Sequence, residues 1–459
     1  MFYNFVNSNF IDKNETDTTM EIAVRIGQLI LSLSLLVICH EFGHFITAKI
    51  FKCRVEKFYL FFNPWFSLFK IQRGETEYGI GWLPLGGYVK IAGMIDESMD
   101  LEQMKKDPQP WEFRSKPAWQ RLIIMVAGVV VNVLMAMLIY AMMAFHWGSD
   151  YLPVQNLKYG IMVDSVAYEF GLRNGDKILE VNEKPADSFN SVFIDLLLKD
   201  PRTITVERDG ERKTFTLTDS TIAKMLSLES PCISPRMPFK IGEFSEESTA
   251  DEAGFQKNDL VIAVDSVPCQ FYDQVRDKLA ENKGKTSIFT VVRENNDTLN
   301  IEFAIPESGK MGVYTYGFAD FLEYKHIDYG FFESFPAGIS KGVDKIKEYC
   351  RQWKLIFNPE TKAYKQVGSF ITMTKIFPGT WDWYAFWNLT ALFSIMLAVL
   401  NIIPIPGLDG GHAFFTIIEM ITGRKPSDKF LEIAQTIGMI LLILLMVYAL
   451  GNDIIRSIF

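Results

Sequence analysis

Cysteine and histidine are both scarce in this chain, with five of each among 459 residues. So few cysteines exclude a scaffold built on disulfides. Positive charge is not in excess either. The 46 Lys and Arg stand against 55 Asp and Glu, a net charge of −9, which argues against nucleic acid as a partner. An apolar share of 49% with 22% charged residues excludes collagen-like, mucin-like and disordered chains. The length suggests roughly two to four structural units. The most informative absence is local, because charge is missing from four separate stretches.

Those stretches are 26–39, 122–145, 383–408 and 433–452. A hydrocarbon core of ~30 Å needs ~20 helical residues, which the last three supply. The first reaches that length only by taking in His40, Glu41 and His44. Four such runs predict a polytopic α-helical membrane protein embedded in a lipid bilayer. A cleaved signal peptide does not fit the first run, whose flank is acidic (Asp12, Glu15, Asp17, Glu21) and which no small-residue cleavage site follows. The polar leader 1–21 carries no usable pattern, and Met20 is an alternative start to Met1.

Charge also orients the chain. Residues 49–121 hold 12 basic and 9 acidic groups, whereas 146–383 hold 28 and 36. Lys49, Lys52, Arg54, Lys57, Lys116 and Arg121 crowd the ends of the first two runs, and Arg424, Lys425 and Lys429 lie between the last two. Loops rich in Lys and Arg stay cytoplasmic, so the 146–383 region is expected outside.

That outer region contains a repeat. Residues 171–182 (Gly-Leu-Arg-Asn-Gly-Asp-Lys-Ile-Leu-Glu-Val-Asn) align with 254–265 (Gly-Phe-Gln-Lys-Asn-Asp-Leu-Val-Ile-Ala-Val-Asp). In each copy a turn leads to an Asp and then to an alternating β-type run. Both copies resemble PDZ domains, which implies two periplasmic α+β modules. Such modules bind peptide C-termini by strand addition, and an equal alternative is a role as spacer or size filter.

The chemistry gathers around His40-Glu41-Phe42-Gly43-His44, an H-E-x-x-H sequence at the inner end of the first run. On a helix, His at i and i+4 share one face and can reach one Zn²⁺, while Glu41 can take a proton from water. Ionisable groups this close to hydrocarbon are costly and mark function. Catalytic zinc takes three protein ligands, so a third must come from a distant segment on the same membrane face. Asp409, the first charge after the third run, fits, because the first and third runs cross in the same direction. His412 is its rival. Between them and the run, Pro404, Pro406, Gly407, Gly410 and Gly411 predict broken helix, tolerated at membrane depth where it lines a cavity.

With H-E-F-G-H in the first span, Asn401-Ile402-Ile403-Pro404-Ile405-Pro406-Gly407-Leu408-Asp409-Gly410-Gly411 in the third and a tandem repeat after the second, the chain resembles the site-2 protease family of intramembrane zinc metalloproteases. Within it, the chain is similar to the bacterial RseP-type branch. The resemblance implies one zinc ion held by His40, His44 and Asp409, with Glu41 activating water. It also implies that Asn401 acts on substrate or oxyanion and that Pro404 and Pro406 shape the substrate site. A membrane-associated β-hairpin is implied at 75–94, around Pro84 and Gly86-Gly87. Two positions depart from the family: 127–132 keeps Gly128 and Asn132 but lacks a proline, and Ser369 stands where a G-P-I motif has its proline.

The expected layout is a leader 1–21, a first span 22–48, a cytoplasmic connector 49–121 and a second span 122–145. PDZ modules follow at 146–228 and 229–316, then an amphipathic linker 317–382, a third span 383–411, a loop 412–432 and a fourth span 433–452. The apolar stripe of the linker fits a helix on the outer membrane surface or equally one packed on a neighbour. A Cys232–Cys269 disulfide is permitted but not indicated. The leading expectation is peptide-bond hydrolysis within the transmembrane segment of a single-pass membrane protein already trimmed outside, an anti-σ factor or a signal-peptide remnant, in a bacterial inner membrane. The competing class is a non-enzymatic PDZ receptor or scaffold with a structural metal, for which Glu41 has no use.

Overall fold

The computed structural model describes residues 19–94, 107–228, 230–246 and 248–458. Most of the expected leader and part of the connector lie outside the described residues. The chain forms two units, one of them made of Asp150–Ile327 and Leu355–Ala363.

The other unit carries four helices long and apolar enough to cross a membrane, Thr19–Ile50, Ala118–Trp147, Trp383–Ile402 and Lys429–Arg456, and they match the four uncharged runs. Two hydroxyls buried inside the bundle find partners on neighbouring spans. Thr390 and Ser32 are joined at 3.0 Å between the third and first spans, and the Ser394 hydroxyl donates to the Asn132 carbonyl at 2.8 Å between the third and second. With no water in hydrocarbon, such bonds offset the cost of burying hydroxyls. Glycine sets the spacing of the first two spans, since a Cβ on Gly43 would lie 2.7 Å from the Ala127 carbonyl oxygen.

Two long strands, Val55–Arg73 and Thr76–Ile91, follow the first span. The sequence reading put the hairpin bend at Pro84 and Gly86-Gly87. One tight turn falls at Gly74, whose φ of +63° suits glycine, and the chain reverses a second time between Ile80 and Gly87, around Pro84. The Pro84-Gly86-Gly87 stretch lies within the second strand, which curls there. Lys57, Phe58, Tyr59 and Leu60 each face two partners, one set running from Lys90 back to Gly87 and the other from Glu77 on to Ile80. Trp65, Phe66 and Trp82 stack at the bend, with Trp65 91% exposed.

The third helix of the bundle ends at Ile402, and a new helix covers Asp409–Thr422. The sequence reading treated 412–432 as loop. The helix forms because Gly410 and Gly411 let its first turn press onto the broken segment: a Cβ on Gly410 would lie 2.5 Å from Ile402 main-chain atoms, and one on Gly411 2.7 Å from Pro406 Cα. Its far end is held by Glu419, which accepts from Arg121 of the second span at 2.5 Å.

The amphipathic linker is a helix over Phe331–Ile356. It packs on the second span, with Gly338 against Ala141, Gly342 against Met137 and the Lys341 ammonium over the Tyr140 ring at 5.1 Å. Two small residues four apart let helix backbones approach. Phe331, Phe332 and Ile339 stay exposed.

The unit of Asp150–Ile327 holds two modules of one topology. The first has a four-stranded sheet whose central strands are Lys177–Val181 and Thr203–Arg208, a helix Phe189–Leu198, and a strand pair Ile161–Val163 with Ile233–Pro235. The second repeats this with Leu260–Val264, Thr286–Val292, Tyr272–Glu281, and Ile241–Phe244 paired with Val313–Thr315. Ile233–Pro235 thus joins the first module by pairing, beyond the boundary expected at 228.

The repeated Asp has the same partners in both copies. Arg208 donates to both Asp176 oxygens at 2.7 Å and to the Gly171 carbonyl, while Arg293 donates to Asp259 at 3.0 Å and to the Gly254 carbonyl. Each arginine therefore pins the turn that opens the repeated strand. Cys232 and Cys269 are free thiols buried in separate module cores.

Candidate active site

His40 and His44 lie on the buried face of the first span because 3.6 residues per turn stack i and i+4. Their rings meet edge to face at 4.9 Å, with the two Nε2 atoms 3.3 Å apart. Asp409, in the first turn of its helix, brings Oδ2 to 3.0 Å from His40 Nε2 and 3.3 Å from His44 Nε2. These three are the only metal-capable cluster among the described residues, and His412 is not part of it.

The spacing can be tested against zinc. Ligands at ~2.0–2.1 Å on a tetrahedron stand ~3.3 Å from one another, close to the three separations found. Asp409 Oδ2 is buried and makes no well-directed hydrogen bond, as an atom reserved for a cation would be. His44 Nδ1 donates to the Ile124 carbonyl at 2.8 Å, which leaves Nε2 with its lone pair facing the cluster. The donor set of two imidazoles and a carboxylate therefore fits zinc.

Around this cluster stand the other expected residues. Glu41 turns toward the second hairpin strand, where its Cγ would lie 3.4 Å from a Cβ on Gly87. Asn401 Nδ2 is 3.5 Å from His40 Nε2. Pro404 and Pro406 sit in the break between helices, where Pro406 faces Gly438 of the fourth span. Behind the histidines are residues to which the sequence reading gave no role. Gly128 lies directly under both imidazoles, and Asn132 Nδ2 is 3.2 Å from His40 Nδ1. That the 127–132 stretch keeps this Gly and Asn of the family's pattern was the available signal.

The model of peptidase family M50 matches residues 28–445, which reach into all four spans. The chain belongs to this family, the site-2 proteases. It is 29% identical over 456 residues to the "Regulator of sigma-E protease RseP" of Escherichia coli K12, covering 94% of this chain and 98% of that protein. It is 28% identical over 454 residues to a Vibrio cholerae protein named "Putative zinc metalloprotease", covering 93% and 97%. The "Regulator of sigma E protease" of Salmonella typhi is 28% identical over 460 residues, covering 95% and 100%. This M50 member is thus an intramembrane zinc metalloprotease, which excludes the non-enzymatic scaffold.

Proposed function

We propose that His40, His44 and Asp409 hold one zinc ion and that Glu41 is the proton carrier for peptide hydrolysis inside the membrane. The observation that carries this is the set of ligand separations, 3.0, 3.3 and 3.3 Å. Zinc, when bound, polarises a carbonyl and lowers the pKa of water. Glu41 takes a proton from the attacking water and passes it to the leaving amine. Asn401, beside His40, donates its amide N–H groups to the substrate or the developing oxyanion. Pro404 and Pro406 keep the 403–408 segment out of helix, leaving a surface against which an unwound chain can lie. A helical substrate hides its carbonyls in i→i−4 bonds, so local unwinding precedes attack. The hairpin near Glu41 offers strand backbone to the extended form.

The substrate we infer is a single-pass membrane protein already shortened on its outer side, such as an anti-σ factor or a signal-peptide remnant, cut in regulated intramembrane proteolysis. The repeat modules, of common topology and with the Asp-arginine pin, are read as periplasmic PDZ domains, the first running to about Pro235 and the second to 316. Their grooves take peptide C-termini or act as a size filter. The basic connector keeps the active site near the cytoplasmic side of a bacterial inner membrane.

Glu41→Gln tests the reading. Retained zinc with at least a ~100-fold loss of cleavage of a model transmembrane substrate is expected. Cleavage at the wild-type rate would overturn the role of Glu41.

A further inference from the structure

The two histidines are held from behind in different ways. His44 Nδ1 faces a carbonyl oxygen, that of Ile124, which can only accept, so this nitrogen carries the proton. His40 Nδ1 faces a side-chain amide instead, that of Asn132, at 3.2 Å. Asn132 is wholly enclosed, its Oδ1 makes no hydrogen bond, and its main-chain carbonyl takes the Ser394 hydroxyl at 2.8 Å. Its place between the second and third spans is therefore fixed, while its amide has one end unused.

An amide donates from one end and accepts at the other, and a half-turn of the group exchanges them. With nitrogen toward His40, it donates to a bare Nδ1, and the imidazole proton sits on Nε2, 3.0 Å from Asp409 Oδ2. That form pairs the histidine with the aspartate and offers no lone pair to a cation. With oxygen toward His40, it accepts from Nδ1–H and leaves Nε2 bare, as His44 already is. Only the second orientation makes the two histidines equivalent as ligands.

We propose that Asn132 is the positioning residue of His40: its carboxamide oxygen accepts the Nδ1 proton and holds the imidazole in the tautomer that presents Nε2 to zinc. This rests on the ligand set given above and adds to it a residue on a different span. A residue present only to fill space would need neither end of an amide, and leucine of similar volume would serve. The fully buried polar atom beside a ligand histidine argues for the hydrogen bond.

The test uses the full-length protein in detergent, with zinc affinity measured by competition against a chelating dye and cobalt absorption as a second readout of the ligand set. Asn132→Leu removes the acceptor at similar size and is expected to weaken zinc binding about 10–100-fold. Asn132→Asp keeps the shape and can only accept, so it is expected to bind zinc at least as tightly as wild type with an unchanged cobalt spectrum. Wild-type affinity in N132L, or a loss in N132D as large as in N132L, would overturn the proposal. If N132L does not accumulate, N132D decides: retained affinity supports the role and a tenfold loss overturns it. Asp409→Ala run in parallel separates the two levels. If D409A keeps its zinc, the ligand set is wrong; if D409A loses zinc and N132L does not, only the role of Asn132 fails.

Discussion

Gly128 lies directly against His44: a Cβ built there would run into His44 Nε2 and stand 2.7 Å from His40 Cε1. The space belongs to the metal-facing nitrogen of His44 and to the Nδ1–Cε1 edge of His40. Gly128→Ala is therefore expected to abolish stoichiometric zinc, at a folding cost of about 1–3 kcal/mol for overpacking. Metal analysis of the purified variant checks this, and full zinc occupancy in G128A would show that the rings can move aside.

Asp453, near the end of the fourth span, accepts from the Ser369 amide at 2.8 Å and hydroxyl at 2.5 Å, and from the Thr372 amide at 3.1 Å and hydroxyl at 2.6 Å. Proline, which the resemblance led one to expect at position 369, could make neither of the first two bonds. Restoring it with Ser369→Pro is expected to lower stability by about 3 kcal/mol or more, since two hydrogen bonds to a charged group are lost and each contributes about 1.5–3 kcal/mol. Thermal unfolding in detergent reads the difference. An unchanged melting temperature would mean that Thr372 alone holds the fourth span to the 370–376 helix.

The twin aspartates of the repeat make a paired prediction. Asp176 is fully buried beneath Arg208, and Asp259 beneath Arg293. Asp176→Asn and Asp259→Asn each leave an arginine half-paired, at about 3 kcal/mol. Limited proteolysis of the full chain should then cut within the altered module and spare the other. Equal susceptibility of both would contradict two separately built cores.

Thiol reactivity tests both burial and sidedness. Burial pushes the thiols of Cys232 and Cys269 up, whereas Cys350 is exposed on the helix Phe331–Ile356. A membrane-impermeant maleimide should label Cys350 in intact spheroplasts and leave the other two until unfolding. Labelling of Cys350 only after lysis would reverse the proposed orientation.

The spans were legible because charge is absent from them, and the two histidines because helical periodicity puts them on one face. The modules were legible from a repeat in which turn, Asp and strand recur. What escaped depends on contacts distant in sequence. Gly410 and Gly411 read as loosened backbone, yet their missing side chains let a helix start tightly against Ile402 and Pro406. Pro84 and Gly86-Gly87 read as a turn, and the chain does reverse there, but the further turn at Gly74, which lets 57–60 pair on both sides, was not read. Asn132 read only as a residue shared with the family's pattern, away from the zinc site, until His40, 92 residues earlier, was found beside it.

The most direct measurement is the mass of the products made from a single-pass substrate by the purified protein. The expected result is one cut inside the substrate's apolar segment, lost on chelation, restored by zinc and lost again in Glu41→Gln at full zinc occupancy. A cut confined to the soluble flanks, or one that persists in E41Q, would contradict hydrolysis by Glu41 and the His40-His44-Asp409 centre within the membrane.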